Sequence, residues 1–227
     1  MRYQQMQPAV FLDRPNRFVA HVDVKGQTVV CHVKNTGRCR ELLVPGCRVW
    51  AQYAPSPARK TAYDLIAVEK GERLINMDAA APNRAFWEYV RQGRFLQSWP
   101  LVQPEKTHGD SRFDFYLEAP GRRAFVEVKG VTLEEDGVVR FPDAPTERGV
   151  KHLRGLARCV EEGYEAWAVF IVQMEGVRRL EPNRRAHAAF ADALRQAAGA
   201  GVRLLALDCQ VVPDELLVNG AVPICLR

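Results

Sequence analysis

Nowhere in these 227 residues is there a run of roughly 18 apolar side chains, so no segment has the length and apolarity of a membrane-spanning helix. The opening stretch, MRYQQMQPAVFLDRP, lacks the apolar segment and small-residue cleavage site of a secretory leader, and a cytoplasmic location is the expectation. Cysteine is sparse. Six of them cannot make a disulfide scaffold in a chain this long. Cys31, Cys39 and Cys47 recur at even spacing, but that spacing matches no zinc pattern and no C-x-x-C occurs. All six thiols are expected to be reduced and packed mostly as small hydrophobes. Internal repeats and low-complexity tracts are absent too.

What is present suffices for a small domain joined to a larger one, with 47% hydrophobic residues. The net charge of +5 is unevenly spread. Residues 1–85 hold 13 Lys/Arg against 7 Asp/Glu, a net +6, and residues 86–227 hold the remaining 19 against 20, a net −1. A basic first third favours a polyanionic partner, although a soluble basic surface without a partner has the same composition.

The first third has the patterning of β structure. NRFVAHVDV alternates at period two with Phe18, Ala20, Val22 and Val24 on one side, and QTVVCHVKN follows after Gly26. RVWAQYA and YDLIAVEK form a second pair across the loop PSPARKT, with a turn and short helical piece in TGRCRELLVPG between the pairs. Short strands interrupted by one small helix suit a five-stranded OB-like barrel. Near residue 80 the texture changes. A short amphipathic helix around Phe86, Tyr89 and Val90 precedes a hairpin, SRFDFYLEA-PG-RRAFVEVKGVTL. A helix then runs from an N-cap at Thr146 to a stop at Gly163, with Val150, Leu153, Leu156, Ala157 and Val160 as its apolar stripe. The apolar strands AWAVFIVQ and RLLALDC flank a helix over roughly 183–198. The expectation is an α/β (α+β) protein with an OB-like barrel over 1–82 and a mixed-sheet domain over 83–227.

Charged residues inside the second hairpin carry the chemistry. Glu127 and Lys129 project from one face of an apolar strand whose other face is filled by Val126 and Val128. Symmetric pairing about Pro120-Gly121 places Asp114 across from Glu127 and Arg112 across from Lys129. Two carboxylates that close either share a proton or hold a cation. Mg²⁺ or Mn²⁺ bound by Asp114 and Glu127, with Lys129 beside them, makes a reasonable catalytic set for phosphodiester hydrolysis. The bland alternative is a solvated edge with Asp114 paired to Lys129 or Arg112. Arg148 and Lys151, at the following helix start, are placed to contact one phosphate backbone. His152 is either a general base or a structural histidine, and Glu105 is either a further metal-site acid or, as its loop position favours, an ordinary loop carboxylate. In the basic first third Arg17, Lys34, Arg38, Arg40, Arg59 and Lys60 are the candidate phosphate contacts. Trp50 and Tyr53 are candidates for base stacking but suit a barrel core better.

VKNTGRCRELLVPG, GDSRFDFYLE, FVEVKGVTL and FPDAPTERGVKHLRGL together resemble the sugar fermentation stimulation protein A family, over about residues 8–225. The resemblance implies an N-terminal OB-like domain, a C-terminal PD-(D/E)XK restriction-endonuclease-like domain, and DNA binding. It also implies that Asp114 takes the place of the metal-binding Asp, with Glu127 and Lys129 matching (D/E)-x-K. Phe113 precedes Asp114, so the literal Pro-Asp pair is absent. Three functions follow as expectations. The first is a DNA-binding protein, regulatory in one reading, largely indifferent to sequence and with RNA as the other polynucleotide. The second is a Mg²⁺- or Mn²⁺-dependent nuclease. The third, resting on the barrel alone, is a carbohydrate- or nucleotide-binding module.

Overall fold

The computed structural model describes residues 1–35, 37–96 and 98–226. Its first half is built from β1 (Met6–Asn16), β2 (Val19–Val24), β3 (Gln27–Val33), β4 (Arg48–Tyr53), β5 (Tyr63–Lys70) and β6 (Arg73–Asn76). β1 pairs antiparallel with β2 on one side and β4 on the other, and β2–β3 and β4–β5 extend the sheet. Parallel pairing of Cys31–Val33 with Tyr63–Leu65 joins β3 to β5 and closes a five-stranded barrel. The second half of β5 holds β6 as a hairpin. Period-two alternation turns Ala20, Val22, Val24, Cys31, Val33, Val49 and Ala51 inward.

Three local expectations fail for physical reasons. β1 is not among the expected strands, and its Pro8 and Pro15 each remove a ladder donor. Pro15 falls within the second of two register shifts, Pro8 pairs with Trp50 of β4 in regular register, and Ala9 and Phe11 still fill the barrel. The short helix expected before Pro45-Gly46 is a run of turns, in which Cys39 O accepts from both Leu42 and Leu43 N–H and the two leucines are buried. Phe18 does not join the inward row of β2. It sits in the β1–β2 turn and is 45% exposed.

The second half contains α1 (Ala81–Arg91), β7 (Leu101–His108), β8 (Ser111–Ala119), β9 (Arg122–Val131), β10 (Glu134–Glu135), β11 (Val138–Phe141) and α2 (Glu147–Glu161). β12 (Glu165–Val172), β13 (Arg179–Pro182), α3 (Ala188–Gly199), β14 (Arg203–Val212) and β15 (Glu215–Val222) complete it. Six strands form one mixed sheet in the order β15-β14-β12-β9-β8-β7, with β9, β12 and β14 parallel. α1 packs on one face against a core that includes Phe86, Phe115, Val126, Val128 and Trp167. α2 and α3 cover the other face over Phe113, Phe125, Leu153, Phe170 and Phe190. Thr146 caps α2, its hydroxyl accepting from Gly149 N–H at 3.0 Å, and Gly163 with φ +86° ends it. α3 begins later than expected, because Asn183 is drawn back onto Pro142 O.

The halves are fastened together. The buried Gln173 side chain donates to Asn76 O, Asn76 Oδ1 and Asp78 O at 2.9–3.1 Å, and its main chain bonds to Val131 O and Asn76 N–H. Buried Glu134 takes both Lys70 and Arg73 across the junction. Tyr3 N–H donates to Asp214 O, and its hydroxyl lies 3.3 Å from the buried Asp78. Among the described residues no helix is long and apolar enough to cross a membrane.

Candidate functional site

β8 and β9 pair in the expected register from Ala119–Arg122 to Phe115–Val126, and then separate. β8 also changes face there, since Phe113 belongs to the core under α2 and Phe115 to the core under α1. Asp114 sits at that change. Its Oδ2 accepts from the Val128 N–H at 2.7 Å, taking the place of a ladder bond, and its Oδ1 accepts from Asn83 Nδ2 of α1 at 2.9 Å.

Glu127 is 3% exposed and lies under α2. Its Oε1 accepts from the Lys129 ammonium and from His152 Nδ1. Arg148 Nε donates to His152 Nε2 at 3.4 Å, so the hydrogen-bond network assigns the ring proton to Nδ1, aimed at Glu127. α2 reaches this depth because Gly155 has no side chain: a Cβ there would lie 2.9 Å from Ser111 Oγ and 3.0 Å from Phe113 Cζ. Glu127 Oε2 is buried and has no hydrogen-bond partner.

The two carboxyls titrate apart. Burial and then the Glu127 charge push Asp114 above the usual carboxylate range, despite the Val128 N–H and Lys129. Burial also pushes Glu127 upward, but the His152 hydrogen bond and the Lys129 ammonium outweigh it and hold the group below its ordinary value. An ionised glutamate beside a reluctant aspartate is a site with room for positive charge. The orphaned Oε2 and the all-oxygen donor pair fit a hard divalent cation. Among the described residues no group of three or more His, Cys, Asp or Glu converges, so Asp114 and Glu127 would supply two ligands and leave the rest to water, main chain or a bound phosphate.

Other expected residues divide. Arg112 does not meet Lys129. It pairs with Thr107 on β7, and its guanidinium lies 3.7 Å from Glu105, itself exposed and at φ +54°. Arg148 and Lys151 do share a face of α2, and Arg154 and Arg158 extend their row along an open cleft of about 460 Å³. Those last two were missed, although their three-to-four-residue spacing was readable. His152 was seen but not placed in the site, because nothing in its spacing points to Glu127.

In the barrel, Lys34 is committed to the buried Asp78 at 2.7 Å, and Arg59 to the buried Asp64 and to Ala54 O. Lys60 is exposed on its loop. Arg17, Arg38 and Arg40 come together around an open cleft of about 420 Å³. Arg14, which the sequence reading passed over, organises that cleft by donating to the carbonyls of Arg17, Asn35, Gly37 and Arg38 at 2.7–3.0 Å. Trp50 is half-buried with Nε1 on Glu69, and Tyr53 leans on Tyr63.

Comparison with known proteins gives a consistent picture. The family model described as "Sugar fermentation stimulation protein RE domain" matches residues 80–215, and "SfsA N-terminal OB domain" matches residues 12–77. The sugar fermentation stimulation protein homolog of Desulfitobacterium hafniense (strain Y51) is 55% identical over 226 residues, 100% of this chain and 99% of that one. The homolog of Clostridium beijerinckii is 47% identical, with 100% of both chains covered. A solved structure described as "The structure of Pyrococcus Furiosus SfsA in complex with Ca2+" matches with a TM-score of 0.89 at 28% identity, covering 99% of this chain and 97% of that one.

Proposed function

This chain belongs to the sugar fermentation stimulation protein family, and from that premise we propose that it is a DNA-binding protein whose second domain retains a divalent-metal nuclease-type site. The observation that carries the second clause is the Glu127 carboxylate: deeply buried, ionised, and left with one oxygen free beside Asp114. Burying an unpaired acceptor costs about 1–3 kcal/mol, and a cation bound by both carboxylates offsets that cost. The relative from Pyrococcus furiosus is described as a complex with Ca²⁺, an oxygen-seeking cation like the Mg²⁺ or Mn²⁺ proposed for this chain.

A hard divalent cation held by Asp114 and Glu127 would supply positive charge to offset the charge that develops on a phosphoryl group. The protein's own residues do the rest. His152 and Lys129 hold Glu127 in its ionised form and fix its orientation. Asn83 and the Val128 N–H fix Asp114. Lys129 is the cation placed to contact a non-bridging phosphate oxygen. Arg148, Lys151, Arg154 and Arg158 lie along the neighbouring helix face, where they track a phosphate backbone without reading its sequence. Arg17, Arg38 and Arg40 do the same in the barrel.

The test is cleavage of labelled single- and double-stranded DNA with Mg²⁺ or Mn²⁺, comparing the unmodified protein with Asp114→Ala and Lys129→Ala. Metal-dependent cutting that both substitutions abolish is the expected result. Salt-sensitive binding with no cutting under either metal removes hydrolysis and leaves DNA binding, regulatory in character, on a nuclease scaffold. Failure to retain any polynucleotide at low salt removes DNA binding as well and favours a carbohydrate or nucleotide ligand for the barrel.

A further inference from the structure

Phe18 is the aromatic side chain that the barrel fold leaves unexplained. The alternation of β2 should have turned it inward with Ala20, Val22 and Val24, yet it stands in the β1–β2 turn at 45% exposure. The turn is not slack. Asn16 Oδ1 accepts from the Phe18 N–H at 2.9 Å and the Val19 N–H at 3.1 Å, and the Phe18 carbonyl accepts from Val33 N–H at 2.7 Å. The ring is therefore held out on a fixed backbone. The Arg17 guanidinium lies over it, 4.7 Å from the centroid.

That ring adjoins the basic cleft, whose walls include Asn16, Arg17, Arg38 and Arg40. Arg14 ties both lips together, through Arg17 O on one side and Asn35 O, Gly37 O and Arg38 O on the other, so the cleft is preformed. Among the described residues Arg17, Arg38 and Arg40 are held in no ion pair, whereas Lys34 and Arg59 are each consumed by a buried aspartate. A fixed aromatic ring with the Arg17 guanidinium stacked on it, beside the unpaired guanidinium groups of Arg38 and Arg40, is what an unpaired nucleobase and its phosphates require. A duplex keeps its bases stacked inside and offers such a ring nothing to stack on.

We infer that Phe18 and Arg17 form a base-stacking platform at the rim of the Arg38–Arg40 cleft, and that the barrel engages single-stranded polynucleotide there. The inference rests on the polynucleotide reading above and names which form of the ligand the barrel takes. The cleft holds the backbone, and the ring holds a base turned out of it.

The experiment measures binding of the full chain to a fluorescent 12-nucleotide single strand and to a blunt duplex of the same sequence, at low salt and without divalent cation. Phe18→Ala should weaken single-strand binding about 5- to 100-fold and leave duplex binding within about twofold. Phe18→Trp should keep single-strand affinity, and its indole emission should be quenched by the single strand more than by the duplex. Unchanged single-strand affinity in Phe18→Ala, or an equal loss on both ligands, overturns the platform while polynucleotide binding stands. If the unmodified protein binds neither ligand, the polynucleotide reading itself fails, and the two failures are told apart in one titration series.

Discussion

The barrel and the β8–β9 hairpin hold their charges in opposite environments. In the barrel cleft, Arg17, Arg38 and Arg40 stand in water around a cavity shaped by Arg14. In the hairpin, Glu127 is buried beneath α2 against His152 of that helix, and Asp114 is wedged between separating strands. Solvated cations cost little to keep and respond to salt. Buried carboxylates are costly, and they persist only with specific donors or a cation. The first arrangement suits gripping a polyanion, and the second suits holding charge in place for chemistry.

That contrast breaks most visibly in catalysis. Asp114→Ala and Lys129→Ala should each lower metal-dependent cleavage by about 10²–10³-fold while polynucleotide affinity stays within about threefold, measured by cleavage and retention on the same labelled strand. A parallel loss of binding would mean that the two regions are not separate tools. In stability the largest effect should come from His152→Ala. Removing a partner from a buried charged group costs about 3 kcal/mol, read from urea unfolding at neutral pH. Glu127 lies below its ordinary carboxylate value in the folded state. Its contribution is therefore present above that ordinary value, roughly pH 4.3, and is lost as pH falls through the folded one. His152→Ala should flatten this acid limb.

The barrel answers to salt instead. Replacing both Arg38 and Arg40 with Ala should reduce the slope of log affinity against log salt by about 1.5. Lys34→Ala and Arg59→Ala should leave that slope unchanged and lower the unfolding midpoint, because each removes the Lys or Arg partner of a buried aspartate. The smallest effect is thermal. Asp114 is raised in the folded state, so its ionised form opposes folding once pH exceeds its ordinary value. Mg²⁺ or Mn²⁺ at tenfold its dissociation constant should raise the melting temperature by about 3 °C at neutral pH. Asp114→Asn should abolish that shift without destabilising the metal-free protein.

Much of this was legible in the residues. Period-two alternation marked β2 and β3, and symmetry about Pro120-Gly121 gave the hairpin register as far as Phe115–Val126. Charges on an apolar hairpin strand pointed to Glu127 and Lys129, with Asp114, before the family resemblance matched all three to its motif. What escaped was long-range. His152 meets Glu127 because a glycine one turn on in α2 lets the helix sink onto β8, and no local pattern encodes that depth. Lys34 and Arg59 looked like phosphate ligands because composition counts cations without saying which are already spoken for. The pairings of Asp114 with Glu127 and of Arg112 with Lys129 both fail, because the register was extrapolated past the point where the strands part: Asp114 meets the Val128 N–H and Arg112 pairs with Thr107. β1 carries two prolines that blunt its strand signal: Pro15 is absorbed at a register shift, and Pro8 sits in regular pairing with β4.

Gln173 follows directly on the strand that runs beside Glu127 and Lys129, and its amide grips the residues that lead out of the barrel. Gly130, next to Lys129, leaves no space between that amide and Pro82, since a Cβ there would lie 2.6 Å from both. Any displacement of the barrel against the second domain therefore loads the Gln173 amide, which stands one residue beyond the strand paired with the Glu127–Lys129 strand.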